Sequence, residues 1–86
     1  MDINQLSEII KKKILNDEAI KSVEVEDKSY LHKGHKGNED KKFHLLLRID
    51  SLYLRNKNKI YSNRYIFKIL ENELKSHIHS LQILFI

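Results

Sequence analysis

Ile3, Leu6, Ile10 and Ile14 recur at intervals of three and four, while Glu8, Lys11 and Lys12 fall on other faces. This spacing predicts an amphipathic helix from about Ile3 to Leu15. Asp2 with Gln5 three residues on is a capping-box pattern, and Lys11, Lys12 and Lys13 suit the negative pole of the helix dipole. The period then changes. From Ser22 to Asp27, Val23 and Val25 alternate with Glu24 and Glu26, as in a half-buried strand. Residues 28–41 read as a polar loop with both glycines and two histidines. Phe43, Leu45, Leu47 and Ile49 mark the buried side of a second strand; His44, Arg48 and Asp50 face away, and Leu46 breaks the alternation. Ser51 to Leu54 predicts a short helical turn. Residues 55–59, Arg-Asn-Lys-Asn-Lys, follow as a basic turn in which asparagine supplies the left-handed conformation. A long helix runs from about Lys59 to Lys75, with Ile66, Phe67, Leu70 and Leu74 as its buried stripe and Ile60 and Ile69 at the edges. Ile78 to Ile86 alternates again, with His79, Leu81, Ile83 and Phe85 on one side and Ser80 and Gln82 on the other.

One apolar face per strand and one stripe per helix predict a two-layer α/β (α+β) sandwich, one domain over residues 1–86. The first two strands form a hairpin, and the helical connection lets the third lie parallel to the second by a right-handed crossover. Eighty-six residues, 41% apolar, hold one modest core, so stability is expected to be marginal without a partner. Cysteine is absent, which excludes a disulfide framework, a thiol nucleophile and any thiolate metal site made by this chain alone. A cytoplasmic or organelle-interior home, such as the mitochondrial matrix, fits that absence. Met1 to Ile10 has no secretory pattern, and no apolar stretch approaches the ~20 residues that span a bilayer. The formal charge of +4 permits anionic partners, although solvated lysine faces account for it as well. No nucleophile–base–orienter set, phosphate loop or paired carboxylates support an enzyme. Asp27, Ser29 and His32 read as a turn held by side chains. Gly34-His35-Lys36-Gly37 spells GxxG, but it joins two strands, whereas the KH clamp needs it between helices.

Four stretches carry a family resemblance. They are 23–29, Val-Glu-Val-Glu-Asp-Lys-Ser, with His32 beyond; Lys42-Phe43-His44-Leu45; Ser62-Asn63-Arg64-Tyr65-Ile66-Phe67; and Glu73-Leu74 followed by Ile78-His79-Ser80-Leu81. In order and spacing they resemble the BolA-like family over nearly the whole chain. They are similar, in turn, to its strand and acidic-plus-serine turn, its His-Phe-x-Val strand entry, its Arg-His-Arg-x-Val-Tyr helix motif, and its Glu-Leu, Val-His-Ala-Leu ending. The resemblance implies a fold related to the type II KH domain, α–β–β–α–α–β, with a three-stranded mixed sheet and helices on one face. Lys42 stands where a histidine is usual, Ser62 and Asn63 replace an arginine and a histidine, and Tyr53 stands for the Phe of a Phe-x-Gly turn.

Unaided, His79 reads as a hydrogen-bonded histidine at the core's edge, and His32 and His35 as solvent-exposed loop side chains. The resemblance implies more. The family's C-terminal histidine, here His79, is a cluster ligand in complexes with monothiol glutaredoxins, and a second ligand comes from the loop, where His32 matches best and His35 is the reserve. A [2Fe–2S] cluster takes four ligands, usually thiolates, although two histidines serve in Rieske centres. The implied assembly is a heterodimer in which a glutaredoxin cysteine and a glutathione thiol supply two ligands; the chain alone holds no cofactor. The rival reading is a DNA-binding transcriptional regulator using Arg55, Lys57, Lys59, Arg64 and Lys68, with Tyr61 and Tyr65 placed to stack on bases. Ser62 and Asn63, and Glu71 and Glu73 at the helix's far end, weigh against it. A third reading is a homodimeric module with another protein partner.

Overall fold

A computed structural model describes residues 1–29 and 42–86. Helix α1 spans Ile3–Leu15 and opens on the expected capping box: Asp2 Oδ1 accepts the Gln5 N–H at 2.8 Å, and Gln5 Oε1 accepts the Asp2 N–H at 3.1 Å. Two of the four orphan donors of the first turn are thereby satisfied. The helix buries Leu6, Ile10 and Ile14 fully, and burying an aliphatic side chain of this size contributes roughly 1.5–3 kcal/mol.

Strands β1 (Ser22–Asp27) and β2 (Phe43–Asp50) pair antiparallel, with Val25 opposite Leu47. Strand β3 (Ile78–Phe85) lies parallel to β2, with Leu47 opposite Ile83, so the sheet order is β1-β2-β3. Helices α2 (Leu52–Arg55), α3 (Lys59–Ile69) and α4 (Glu71–Ser76) form the crossover. Leu45, Leu47 and Ile49 of the central strand meet α1 together with Ile66 and Leu70 in one core. The result is the expected three-stranded mixed sheet under a helical layer.

Three local expectations are corrected. The long helix divides at Leu70, which is fully buried and takes φ −100°, ψ 19°, off helical values. Phe67 and Ile60 are exposed, and the stripe instead runs through Ser62, Ile66 and Leu70. Ser62 fits because its hydroxyl donates to the Leu54 carbonyl at 2.5 Å, which pairs a polar group that burial would otherwise penalise. Neither asparagine of the basic turn is left-handed: Asn56 has φ −86° and Asn58 φ −68°. Asn58 caps α3 instead, its Oδ1 accepting the Tyr61 N–H at 2.8 Å. Ser51 caps α2 in the same way, through the Leu54 N–H at 3.1 Å. Across the layer, Lys13 in the last turn of α1 reaches both carboxylate oxygens of Glu73 on α4, at 2.9 and 2.8 Å.

Candidate functional site

The start of β3 is irregular. Phe43 stands opposite Ile78 and His44 opposite Ser80, so His79 is an extra residue in the ladder. Such a bulge changes which side chains point to which face. Ile78 is buried in the core, yet the core-packed positions beyond the bulge are Leu81, Ile83 and Phe85. His79 therefore falls out of line with those three, contrary to the simple alternation that predicts it beside them. It is exposed and lies off the core side, next to the exposed Ser80.

His44 from β2 lies beside it. The two imidazole centroids are 4.8 Å apart with planes tilted by 55°. His44 is buried, and its Nδ1 is 2.7 Å from Ser80 Oγ. Its backbone N–H donates to Ser29 Oγ at 3.0 Å, and the Ser29 N–H donates to Asp27 Oδ1 at 2.9 Å. Asp27 and Ser29 thus form the side-chain-held turn expected of them. The Phe43 N–H donates to the His77 carbonyl at 2.9 Å, and the Lys28 N–H to the His44 carbonyl at 2.7 Å. Both chain segments that border residues 30–41 are thereby tied to the end of the sheet that carries His44 and His79. His32 and His35 fall outside the described residues.

Sequence reasoning missed His44. The single strand gave its outward orientation, but only the parallel register of β2 against β3 brings it to His79. Among the described residues no group of three or more His, Cys, Asp or Glu side chains is placed to hold a metal ion. Paired imidazoles without a thiolate suit borderline metals or shared iron coordination, in which the remaining donors come from elsewhere.

The five cations considered for DNA binding divide between two surfaces. Arg55, Lys57 and Lys59 border a groove of about 790 Å³ between the α2–α3 turn and β3. Arg64 and Lys68 border a separate depression of about 390 Å³ with Tyr61 and Tyr65. Lys57 also sits over two rings, its Nζ 5.0 Å from the Tyr53 centroid and 5.6 Å from that of Tyr61. Tyr53 and Tyr61 share a hydroxyl–hydroxyl hydrogen bond of 2.9 Å, which raises the Tyr61 pKa. Tyr65 donates to Asp17 Oδ2 at 2.5 Å; that bond, aided by burial, pushes its phenol up to about 12. These tyrosines are therefore engaged with one another and with Asp17. On the outer side of the sheet, Lys28 and Arg48 bond to Glu26 and hold its carboxyl below the usual range. No helix among the described residues is long and apolar enough to cross a membrane.

The family model described as BolA-like protein matches residues 14–85. Over 66 residues the chain is 39% identical to SufE-like protein 1, chloroplastic/mitochondrial, of Arabidopsis thaliana; the match takes in 71% of this chain and 18% of that protein. The chain thus spans under a fifth of the length of that relative. The solved BolA domain of SufE1 from Arabidopsis thaliana superposes with a TM-score of 0.79 at 32% identity, covering 98% of this chain and 93% of that one. BolA1 from Arabidopsis thaliana superposes with a TM-score of 0.73 at 27% identity, covering 92% and 87%.

Proposed function

The chain belongs to the BolA-like protein family, and from that premise we propose that it is a non-enzymatic module that pairs with a monothiol glutaredoxin to share a [2Fe–2S] cluster. The observation that carries this reading is His79, an exposed bulge residue at the sheet end where the chain enters and leaves residues 30–41. His79 is the first proposed ligand. His32 is the second and His35 its reserve: His32 lies three positions beyond Ser29, a length of chain that spans at most about 11 Å, and Ser29 itself holds the His44 amide. A glutaredoxin cysteine and a glutathione thiol complete the four, since this chain has no sulfur donor beyond one methionine.

The cluster is cargo in this scheme, and the chain's own residues present and orient donors. His44 packs against the His79 ring, and Ser80 holds His44. Neutral imidazoles put less negative charge on a cluster than thiolates do, which raises its reduction potential. Mixed ligation of this kind suits assembly, trafficking or sensing better than tight storage. The chloroplastic/mitochondrial designation of the Arabidopsis relative supports an organelle interior as the place of action.

The test is co-expression of the chain with a monothiol glutaredoxin. The purified pair is expected to carry a visible absorbance that changes when His79→Ala replaces the wild type. An identical spectrum with and without that imidazole overturns the proposal. DNA binding is the rival. A track of phosphate contacts would lose affinity steeply with salt, whereas these five cations divide between two surfaces.

A further inference from the structure

The far end of β3 carries a second feature, independent of the cluster reading. The sheet order ends at β3, so among the described residues one of its edges has no strand beside it. The Ile86 N–H donates to the Ile49 carbonyl at 2.9 Å across the β2–β3 pair, and Ile49 stands opposite Phe85. In a strand, alternate residues turn both backbone polar groups to the same side. Gln82, Leu84 and Ile86 therefore face β2, while Leu81, Ile83 and Phe85 offer their N–H and C=O groups to the open edge. Proteins usually blunt such an edge with charge or proline. From Leu81 to Ile86 this one has neither.

Beside that edge lies the groove of about 790 Å³. Phe67 of α3, 40% exposed, forms part of its wall with Leu54, Ile83 and Phe85. Arg55, Lys57 and Lys59 stand at its border, and among the described residues no Asp or Glu side chain lines it. We propose that this groove receives an extended acidic peptide segment of a partner protein, which adds to β3 as a fourth strand. Main-chain hydrogen bonds to an open edge supply affinity, and alternate side chains entering an adjoining groove supply specificity. Apolar residues of the peptide pack toward Phe67, and acidic ones meet the three cations.

Two other occupants are disfavoured. A second copy pairing through its own β3 sets two cationic borders against each other. A single nucleic-acid strand in a KH-type groove relies on a GxxG turn that lets the backbone come close. The corresponding turn here is Arg55-Asn56-Lys57-Asn58, without glycine, and the Asn58 side chain is occupied in capping α3. The groove lies at the opposite end of β3 from the bulge, so the two sites are open to separate partners.

The experiment is an NMR titration of the intact chain with an acetylated peptide of alternating valine and glutamate. The expected result is a shift of the Leu81, Ile83 and Phe85 amides and about tenfold slower hydrogen exchange there, as new edge bonds form. Arg55→Glu and Lys59→Glu are each expected to weaken binding about tenfold; both positions are exposed, and a glutamate suits the start of α3. Ile83→Pro removes an edge donor without touching the ladder to β2, a placement edge strands tolerate, and is expected to abolish the protection. Shifts confined to the cations without protection along β3 overturn the proposal. So does preferential binding of a single-stranded oligonucleotide, or self-association through β3 that the peptide fails to displace.

Discussion

Lys13→Met tests how the helical layer is fastened. The Lys13 ammonium contacts both oxygens of Glu73, at 2.9 and 2.8 Å, joining the end of α1 to α4. The Glu73 side chain is 10% exposed and that of Lys13 38%. Removing one partner of a fully buried pair costs about 3–5 kcal/mol, whereas exposed pairs contribute about 0–1 kcal/mol. With one partner buried and the other partly screened by solvent, a loss of about 2 kcal/mol is expected from the two limits together. In a domain of this size that lowers Tm by roughly 8–16 °C. Urea unfolding of Lys13→Met, Glu73→Gln and the double variant measures it, with a coupling energy of at least about 1 kcal/mol expected for such close partners. Replacing the pair by Met and Leu together should recover most of the stability. The Glu73 carbonyl also accepts the His77 N–H at 2.8 Å, so loosening α4 should speed amide exchange just before the β3 bulge. A Lys13→Met protein within about 0.5 kcal/mol of wild type, the range of an ordinary surface change, refutes this reasoning.

Two further outcomes follow from the helical crossover. Ser62→Ala removes the hydroxyl bonded to the Leu54 carbonyl, which retains the Lys57 N–H at 3.2 Å, and should cost about 0.5–1.5 kcal/mol in chemical denaturation; no measurable cost would show the bond to be dispensable. The Tyr65 phenol is raised from 10.0 to about 12, chiefly by its bond to Asp17, so its protonated form is favoured in the folded state. The stability this brings is fully present below the unfolded value near 10 and is lost as pH rises through about 12. In an ultraviolet phenolate titration Tyr65→Phe should delete the late-titrating component, and a variant that keeps that component contradicts the assignment.

What the sequence disclosed was whatever is decided locally. The limits of α1 follow from the Asp2–Gln5 box and a 3.6-residue apolar period, and both are written into adjacent residues. Val23 and Val25 announced β1 in the same way. The place of His79 on β3 was legible, but its orientation was not, because the bulge arises from pairing between β2 and β3 and inverts the alternation at a single point. The neighbouring His44 needed that same register. In α3, Ser62 holds a buried position through a carbonyl eight residues away, while Phe67 is left facing the groove beside β3. A hydrophobicity pattern ranks those two residues the other way. Asn58 was legible as a turn residue, but its use as a helix cap depends on where α3 begins.

Pulsed electron paramagnetic resonance on the reduced complex reads the proposed His79 ligation directly. The chain, carrying isotopically labelled histidine, is combined with an unlabelled monothiol glutaredoxin, glutathione and iron–sulfur cluster. Direct coordination predicts two strong nitrogen couplings from the labelled chain, one of which is lost in His79→Ala. A cluster with thiolate ligands alone, or nitrogen couplings left unchanged by the substitution, contradicts it.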